Sequence, residues 1–313
     1  MTPEQLRIRE FAVKELLLFL LVVTIFVLLG SALAVGLASM LGIEDMQVLL
    51  GDISADTPKE TLESVQLILM VSQLFTFLLP GVVFAVLYYR KNWLKRTLLS
   101  RAPSADNISW GFGLLMLTFV AMQLVYWLNK QIPLPDSLKA AEDTSQALIQ
   151  AMITLDSPMA LPMNLLVMAL LPAIGEELIF RGLLQCIAVR LTANVHAGIW
   201  ISATLFSLMH WQFEGFFVRQ LLGALFGYLL YWSGSLWLPI LVHFVFNGLQ
   251  IVGQYMYVQG KIDVDLDQEI EMTSGNLIMG AVALILTLIL CSYVHRKRKP
   301  ERLEYERAMG ENL

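Results

Sequence analysis

Residues 16–41 read LLLFLLVVTIFVLLGSALAVGLASML, a run of 26 residues without one charged side chain. About 20 such residues suffice to cross the hydrocarbon core of a bilayer, so this stretch is a membrane span and it decides the fold class. Working outward, further apolar segments stand at 65–89, 108–128, 159–174, 197–209, 220–232, 237–258 and 277–294. Together they predict a bundle of eight transmembrane helices. The fourth run is short, but 176–191 continues it in good helix formers without a proline, so it reads as one long helix carrying charges inside it, with a kink expected at Pro172. Composition agrees: 57% of the 313 residues are hydrophobic and 15% are charged, against roughly 25% charged in a soluble domain. A pI near 5.4 argues against nucleic acid as a partner. Two cysteines, Cys186 and Cys291, sit in or on spans and make neither a disulfide framework nor a zinc spacing.

Assigning Lys and Arg to alternating sides of the eight spans gathers 16 of the 21 on one face, including 90–101 and 296–307. By the positive-inside rule that face is cytoplasmic. Both termini are then cytoplasmic, in a protein expected in the cell inner membrane. The plan is a short N-terminus (1–15), a membrane domain (16–294) with its polar core at about 159–258, and a basic tail (295–313) that serves as a topology anchor with some affinity for anionic membrane lipids. Residues 136–156, on the outer side, carry Ala147, Leu148, Ala151 and Met152 at helical spacing, the pattern of an amphipathic helix lying on the surface.

A charge near the centre of a membrane helix costs about 2.5–3.5 kcal/mol on insertion scales and tends to mark function. The intramembrane polar residues are Glu176, Glu177 and Arg181 in the fourth span, His210 at the end of the fifth, and His243 with Asn247 in the seventh. Glu177 and Arg181 are four apart on one helix face and can pair, as buried charges generally must. Glu176 is then left without an obvious partner. Spans four and five form an antiparallel hairpin about the turn Thr192-Ala193-Asn194, which lies midway between residues 177 and 210. A glutamate therefore stands level with His210. A carboxylate facing an imidazole can hold and polarise a water, and His243 with Asn247, one turn apart, could donate to a developing oxyanion. The same His, His, Glu and Asn could instead form a metal shell, with Glu176, His210 and His243 the candidate ligands. Each histidine alone would read as an interhelical hydrogen bond. His196 and His295 are expected to be exposed, and Phe206, Phe244 and Phe246 to serve packing.

Three motifs in order, Glu176-Glu177-x-x-x-Arg181, Phe206-x-x-x-His210 and His243-x-x-x-Asn247, resemble those of the CAAX protease and bacteriocin-processing family, membrane proteins related to the type II CAAX prenyl endopeptidases. The resemblance covers about 161–250. It implies an all-helical bundle around a polar intramembrane cavity and an endopeptidase activity, in which Glu176 and His210 activate water, His243 and Asn247 stabilise the oxyanion, and Glu177 and Arg181 hold the first motif. The family is often labelled metalloprotease, so zinc stays open beside a metal-free glutamate mechanism. The implied substrate is a peptide or lipidated protein, prenylated CAAX-like or otherwise membrane-associated, approached from the cytoplasm or within the membrane. Two other readings compete with the protease: a non-catalytic scaffold or immunity protein whose polar cluster locks helices, and a proton or cation carrier.

Overall fold

The computed structural model describes residues 3–43, 57–154, 159–263 and 272–310. Among these there is helix and no strand. The helices are α1 (Pro3–Met40), α2 (Lys59–Arg96), α3 (Ala105–Lys130), α4 (Asp136–Thr154), α5 (Ala160–Thr192), α6 (Val195–Leu208), α7 (Phe216–Ser233), α8 (Trp237–Val258), α9 (Ser274–Lys297) and α10 (Lys299–Gly310). The protein is an all-α membrane protein. Six of the described helices, α1, α2, α3, α5, α8 and α9, are long and apolar enough to cross a membrane.

The count of eight spans is not reached by that measure, for a reason that bears on the site. Helix α6 has 14 residues, a rise of about 21 Å at 1.5 Å per residue, against a hydrocarbon thickness of about 30 Å. By length alone α6 is too short to cross, and the chain turns back after it at 209–215. Helix α4 covers that turn: Glu142 accepts hydrogen bonds from the backbone N–H groups of Phe213 (3.1 Å) and Glu214 (3.0 Å). The other end of α4 is tied to α5, where Asn164 donates to the Met152 carbonyl (2.7 Å). The amphipathic reading of this segment holds over Asp136–Thr154; the rest of its expected extent lies outside the described residues.

Apolar side chains sort by what they face. Only 11% of the most apolar window of α1 is buried, whereas 61% of that of α5 is. Helix α1 and α9 thus show large apolar residues such as Leu28, Ile278 and Leu288 to the surroundings, as lipid-facing helices do. Helix α7 is central and contributes Leu222, Phe226, Leu229 and Leu230 to the main core.

Two prolines shape the helices that meet at the site. Pro80 and Pro172 each lack the N–H that would close an α-helical turn, and each follows a stretch of π-helix, Leu74–Leu78 in α2 and Leu165–Leu170 in α5. Helix α5 stays continuous through Pro172 rather than breaking. Beside these turns Gly175 touches α2 so closely that an added Cβ would lie 2.9 Å from the Phe77 Cβ and 3.1 Å from the Leu78 nitrogen. A side chain there would push α5, and Glu176 with it, away from α2.

Helix starts follow their capping residues. Ser104 accepts from the Asn107 N–H, Asn194 from Ala197 and Thr273 from Asn276. The α5–α6 hairpin turns at the expected residues, with Ala193 left-handed (φ 52°). The tail does more than anchor. Helix α10 packs under α5 and α7, burying Tyr305 and Met309, and Arg302 donates to the Tyr231 hydroxyl (3.2 Å) and meets His295 (2.8 Å). His295 is thus half-buried and engaged, contrary to expectation, while exposed His196 pairs with the Tyr228 hydroxyl (2.8 Å).

Candidate active site

A cavity of about 660 Å³ opens among α2, α4, α5, α6, α7 and α8, and its wall includes Glu176, His210, His243 and Asn247. Glu177 and Arg181 are not part of that wall and are fully buried. The seven residues of the three motifs thus separate into five that line the cavity, the four polar ones and Phe206, and two that stand behind it.

The pair behind the wall is tightly held. Arg181 donates through Nη1 to Glu177 Oε1 (3.0 Å) and through Nη2 to the Gly223 carbonyl (3.1 Å). Its guanidinium carbon lies 4.3 Å from the Phe206 ring centre and 5.4 Å from that of Phe226, close enough for cation–π attraction in a dry setting. Phe206 therefore does more than fill space. It sits between the guanidinium and the His210 ring, whose centre is 4.9 Å away.

Glu177 reaches further than the ion pair. The same Oε1 accepts from His243 Nδ1 at 2.9 Å, which fixes the proton of that ring on Nδ1 and leaves Nε2 for the cavity. His243 is clamped on its face by Phe226, stacked at 4.8 Å and 22°. His210 donates from Nδ1 to the Phe206 carbonyl (2.8 Å). A carbonyl oxygen only accepts, so His210 Nε2 carries the lone pair. Asn247 donates from Nδ2 to the Met168 carbonyl (3.2 Å), the carbonyl four residues before Pro172 that the proline cannot serve. Its second amide hydrogen and Oδ1 are not used in that bond. Glu176 is almost buried and makes no hydrogen bond among the described residues.

Zinc is a test of fit for this donor set. Both imidazoles are oriented through Nδ1, as metal ligands often are. Yet among the described residues no three of His, Cys, Asp and Glu are grouped to hold a metal ion. As they stand, Glu176, His210 and His243 do not make a ligand shell.

Several contributors carry no polar signal in the sequence. Phe226 is one. Gly223 and Gly227 are others: Arg181 and Gln185, one turn apart on α5, donate to the carbonyls of Gly223 and Gly227, one turn apart on α7 (3.1 and 3.3 Å). The small-x-x-x-small spacing of that pair on α7 is the signal that could have found the contact. Ser202 braces the same region from α6 by donating to the Phe180 carbonyl (2.7 Å).

The cavity lies toward the end of the bundle formed by α4, the 209–215 turn and the C-terminal halves of α3 and α8, where Tyr126, Met152, Gln212 and Gln254 contribute to its wall. The basic clusters at 90–101 and 296–307 mark the opposite end.

The fold and site together define a class, a helical membrane protein with a carboxylate, two imidazoles and a carboxamide around an intramembrane cavity. Residues 158–249 match the family model described as "Type II CAAX prenyl endopeptidase Rce1-like", the stretch that holds all three motifs. Two curated proteins of Bacillus subtilis (strain 168) are similar over part of their lengths. "Putative membrane peptidase YdiL" is 26% identical over 130 residues, 42% of this chain and 50% of that protein. "Uncharacterized protein YpbD" is 27% identical over 90 residues, 28% of this chain and 43% of that protein. The matches thus span about half the length of these relatives or less. No solved structure matches.

Proposed function

We propose that this protein is an intramembrane endopeptidase that hydrolyses a peptide bond in a peptide or lipidated protein held at the membrane. The observation that carries the reading is the separation of the polar motif residues into four on one cavity wall and an ion pair behind it. The family match over the same residues supports it.

In this reading a water lies between Glu176 and His210 Nε2. Glu176 takes one proton as the water oxygen bonds to the scissile carbonyl carbon. The tetrahedral oxyanion accepts from the free N–H of Asn247 and from His243, which Glu177 orients through Nδ1. Glu176 then returns its proton to the leaving nitrogen and the carbon–nitrogen bond breaks. Glu177 and Arg181 position His243 and α7 and touch no substrate. No step needs zinc.

The apolar share of the cavity wall, including Leu69, Phe77, Leu148 and Val167, suits an apolar or lipid-bearing segment. With both termini in the cytoplasm, the cavity faces the outer half of the cell inner membrane, and α4 is the roof under which substrate passes. The test is a panel of Glu176→Ala, His210→Ala and His243→Ala proteins in vesicles. Each is expected to insert normally and to lose at least about 100-fold in peptide cleavage. Full activity in Glu176→Ala would overturn the assignment, and a loss of stability in place of a loss of cleavage would favour the scaffold reading.

A further inference from the structure

Arg219, in the first turn of α7, lines the same cavity as Glu176, His210 and Asn247. A guanidinium has five N–H bonds to satisfy. Here Nη1 donates to Gln212 Oε1 (3.1 Å), while Nε and Nη2 are buried and meet no acceptor. Among the described residues no carboxylate lies within 4.0 Å of it. The acids nearby make other contacts: Glu142 of α4 accepts through Oε2 from the Phe213 and Glu214 amides, and Glu214 of the turn meets Lys130 at 3.5 Å. The other arginine of this region, Arg181, has a carboxylate partner in Glu177, although its Nε too is buried without an acceptor. Arg219 is therefore a largely buried cation on the cavity wall without an ion-pair contact, attracted by Glu142 only from beyond 4.0 Å.

That is costly unless something entering the cavity supplies the charge. The two idle nitrogens identify what fits. Nε and Nη2 form one edge of the guanidinium, with parallel N–H bonds spaced to meet both oxygens of a carboxylate at once. The anion carried by a peptide is a carboxylate. We propose that Arg219 binds a carboxylate of the substrate peptide, at the C-terminus or on an acidic side chain, and so sets the distance from that charge to the bond that is cut. The proposal rests on the endopeptidase reading for the identity of the ligand and on Arg219 alone for its charge.

Gly215 offers a second way to disturb the site without removing the charge. A Cβ there would lie 2.6 Å from Arg219 Nη1 and 3.2 Å from Nη2, so Gly215→Ala displaces the guanidinium. The Gly215 φ of −104° is open to any residue.

The experiment uses the full chain in vesicles and three probes of one apolar acetylated hexapeptide: the free acid, the C-terminal amide, and the amide with one internal glutamate. Binding is read by fluorescence polarisation of labelled probes, and cleavage by mass spectrometry as KM and kcat. The wild type is expected to favour one carboxylate probe over the plain amide by about tenfold or more, in binding and KM rather than kcat. Preference for the free acid identifies a C-terminal carboxylate; preference for the glutamate probe identifies a side chain. Arg219→Gln should bring the ratio to about one, Gly215→Ala should lower it, and Arg219→Lys should retain part of it. Equal treatment of all three probes by the wild type, or an unchanged ratio in Arg219→Gln, overturns the proposal. If Arg219→Gln fails to fold, the Gly215→Ala and Arg219→Lys ratios decide. Carboxylate-dependent binding without cleavage would uphold the anion site and remove the peptidase reading, whereas cleavage without preference would do the reverse.

Discussion

Replacing Arg181 by Met separates what holds the site from what reacts in it. Arg181 and Glu177 are fully buried and joined at 3.0 Å, and Arg181 also serves the Gly223 carbonyl. Removing the cation leaves a carboxylate with His243 as its one remaining partner and a carbonyl without a donor. Breaking a buried pair by removing one member costs about 3–5 kcal/mol, and the loss of contact with Phe206 lies within that range. At roughly 2 °C per kcal/mol, the apparent Tm in detergent, followed by tryptophan fluorescence, should fall by about 6–10 °C. The double variant Glu177→Met/Arg181→Met removes the stranded charge as well and should recover a large part of that fall, since apolar replacements of a buried pair are often neutral. Cleavage should stay low in the double variant even as stability recovers, because the Nδ1 of His243 has there lost its acceptor. An unchanged Tm in Arg181→Met, or a double variant no more stable than the single one, would refute the claim that this pair locks the helices.

Asn247→Leu should lower kcat by about 100- to 1000-fold with little change in KM, the signature of a donor needed mainly by the oxyanion; steady-state kinetics on a cleaved peptide would show it. Burial in α10 pushes the Tyr305 phenol well above its ordinary value. Its folded state therefore favours the protonated form, and the stability this gives is present below pH about 10 and is lost as pH rises further. Thermal unfolding against pH should show an alkaline decline in the wild type that is reduced in Tyr305→Phe. Cleavage should persist in excess chelator after dialysis; activity lost to chelator and regained with zinc would show that the three candidate ligands rearrange around a metal.

The fold was legible where one physical cause dominates. Charge-free runs such as 16–41 declare spans without reference to tertiary structure, and the Asn194 cap and the polar turn before it declare the α5–α6 hairpin. The count of eight is not confirmed because apolar composition does not reveal helix length, and α6 has only 14 residues before the turn that α4 covers. The tail was read as a basic anchor because its charges outnumber Tyr305 and Met309, the two residues that dock it.

At the site, charge inside apolar helices pointed to Glu176, Glu177, Arg181, His210, His243 and Asn247, since buried charge needs a reason. The geometry refined their relations. Glu177, paired by helical spacing with Arg181 alone, also orients His243 from another helix. The Asn247 bond to the carbonyl ahead of Pro172 depends on how α5 and α8 cross, which spacing does not encode. Phe226 carries no charge and so gave no sign of its contact with His243, whereas the spacing of Gly223 and Gly227 was the one available sign of their contacts with Arg181 and Gln185. Arg219 lies just outside the apolar run 220–232, so nothing in the sequence marks its place on the cavity wall.

Glu176→Gln is the change that most directly tests the central claim, because it keeps the size of the side chain and removes only its ability to take a proton. The purified wild type and this variant would be compared for cleavage of a peptide library that includes prenylated CAAX peptides, with products identified by mass and insertion confirmed for both. The account predicts cleavage by the wild type and a loss of about 100-fold or more in the variant at unchanged stability. Equal cleavage by both proteins would contradict it.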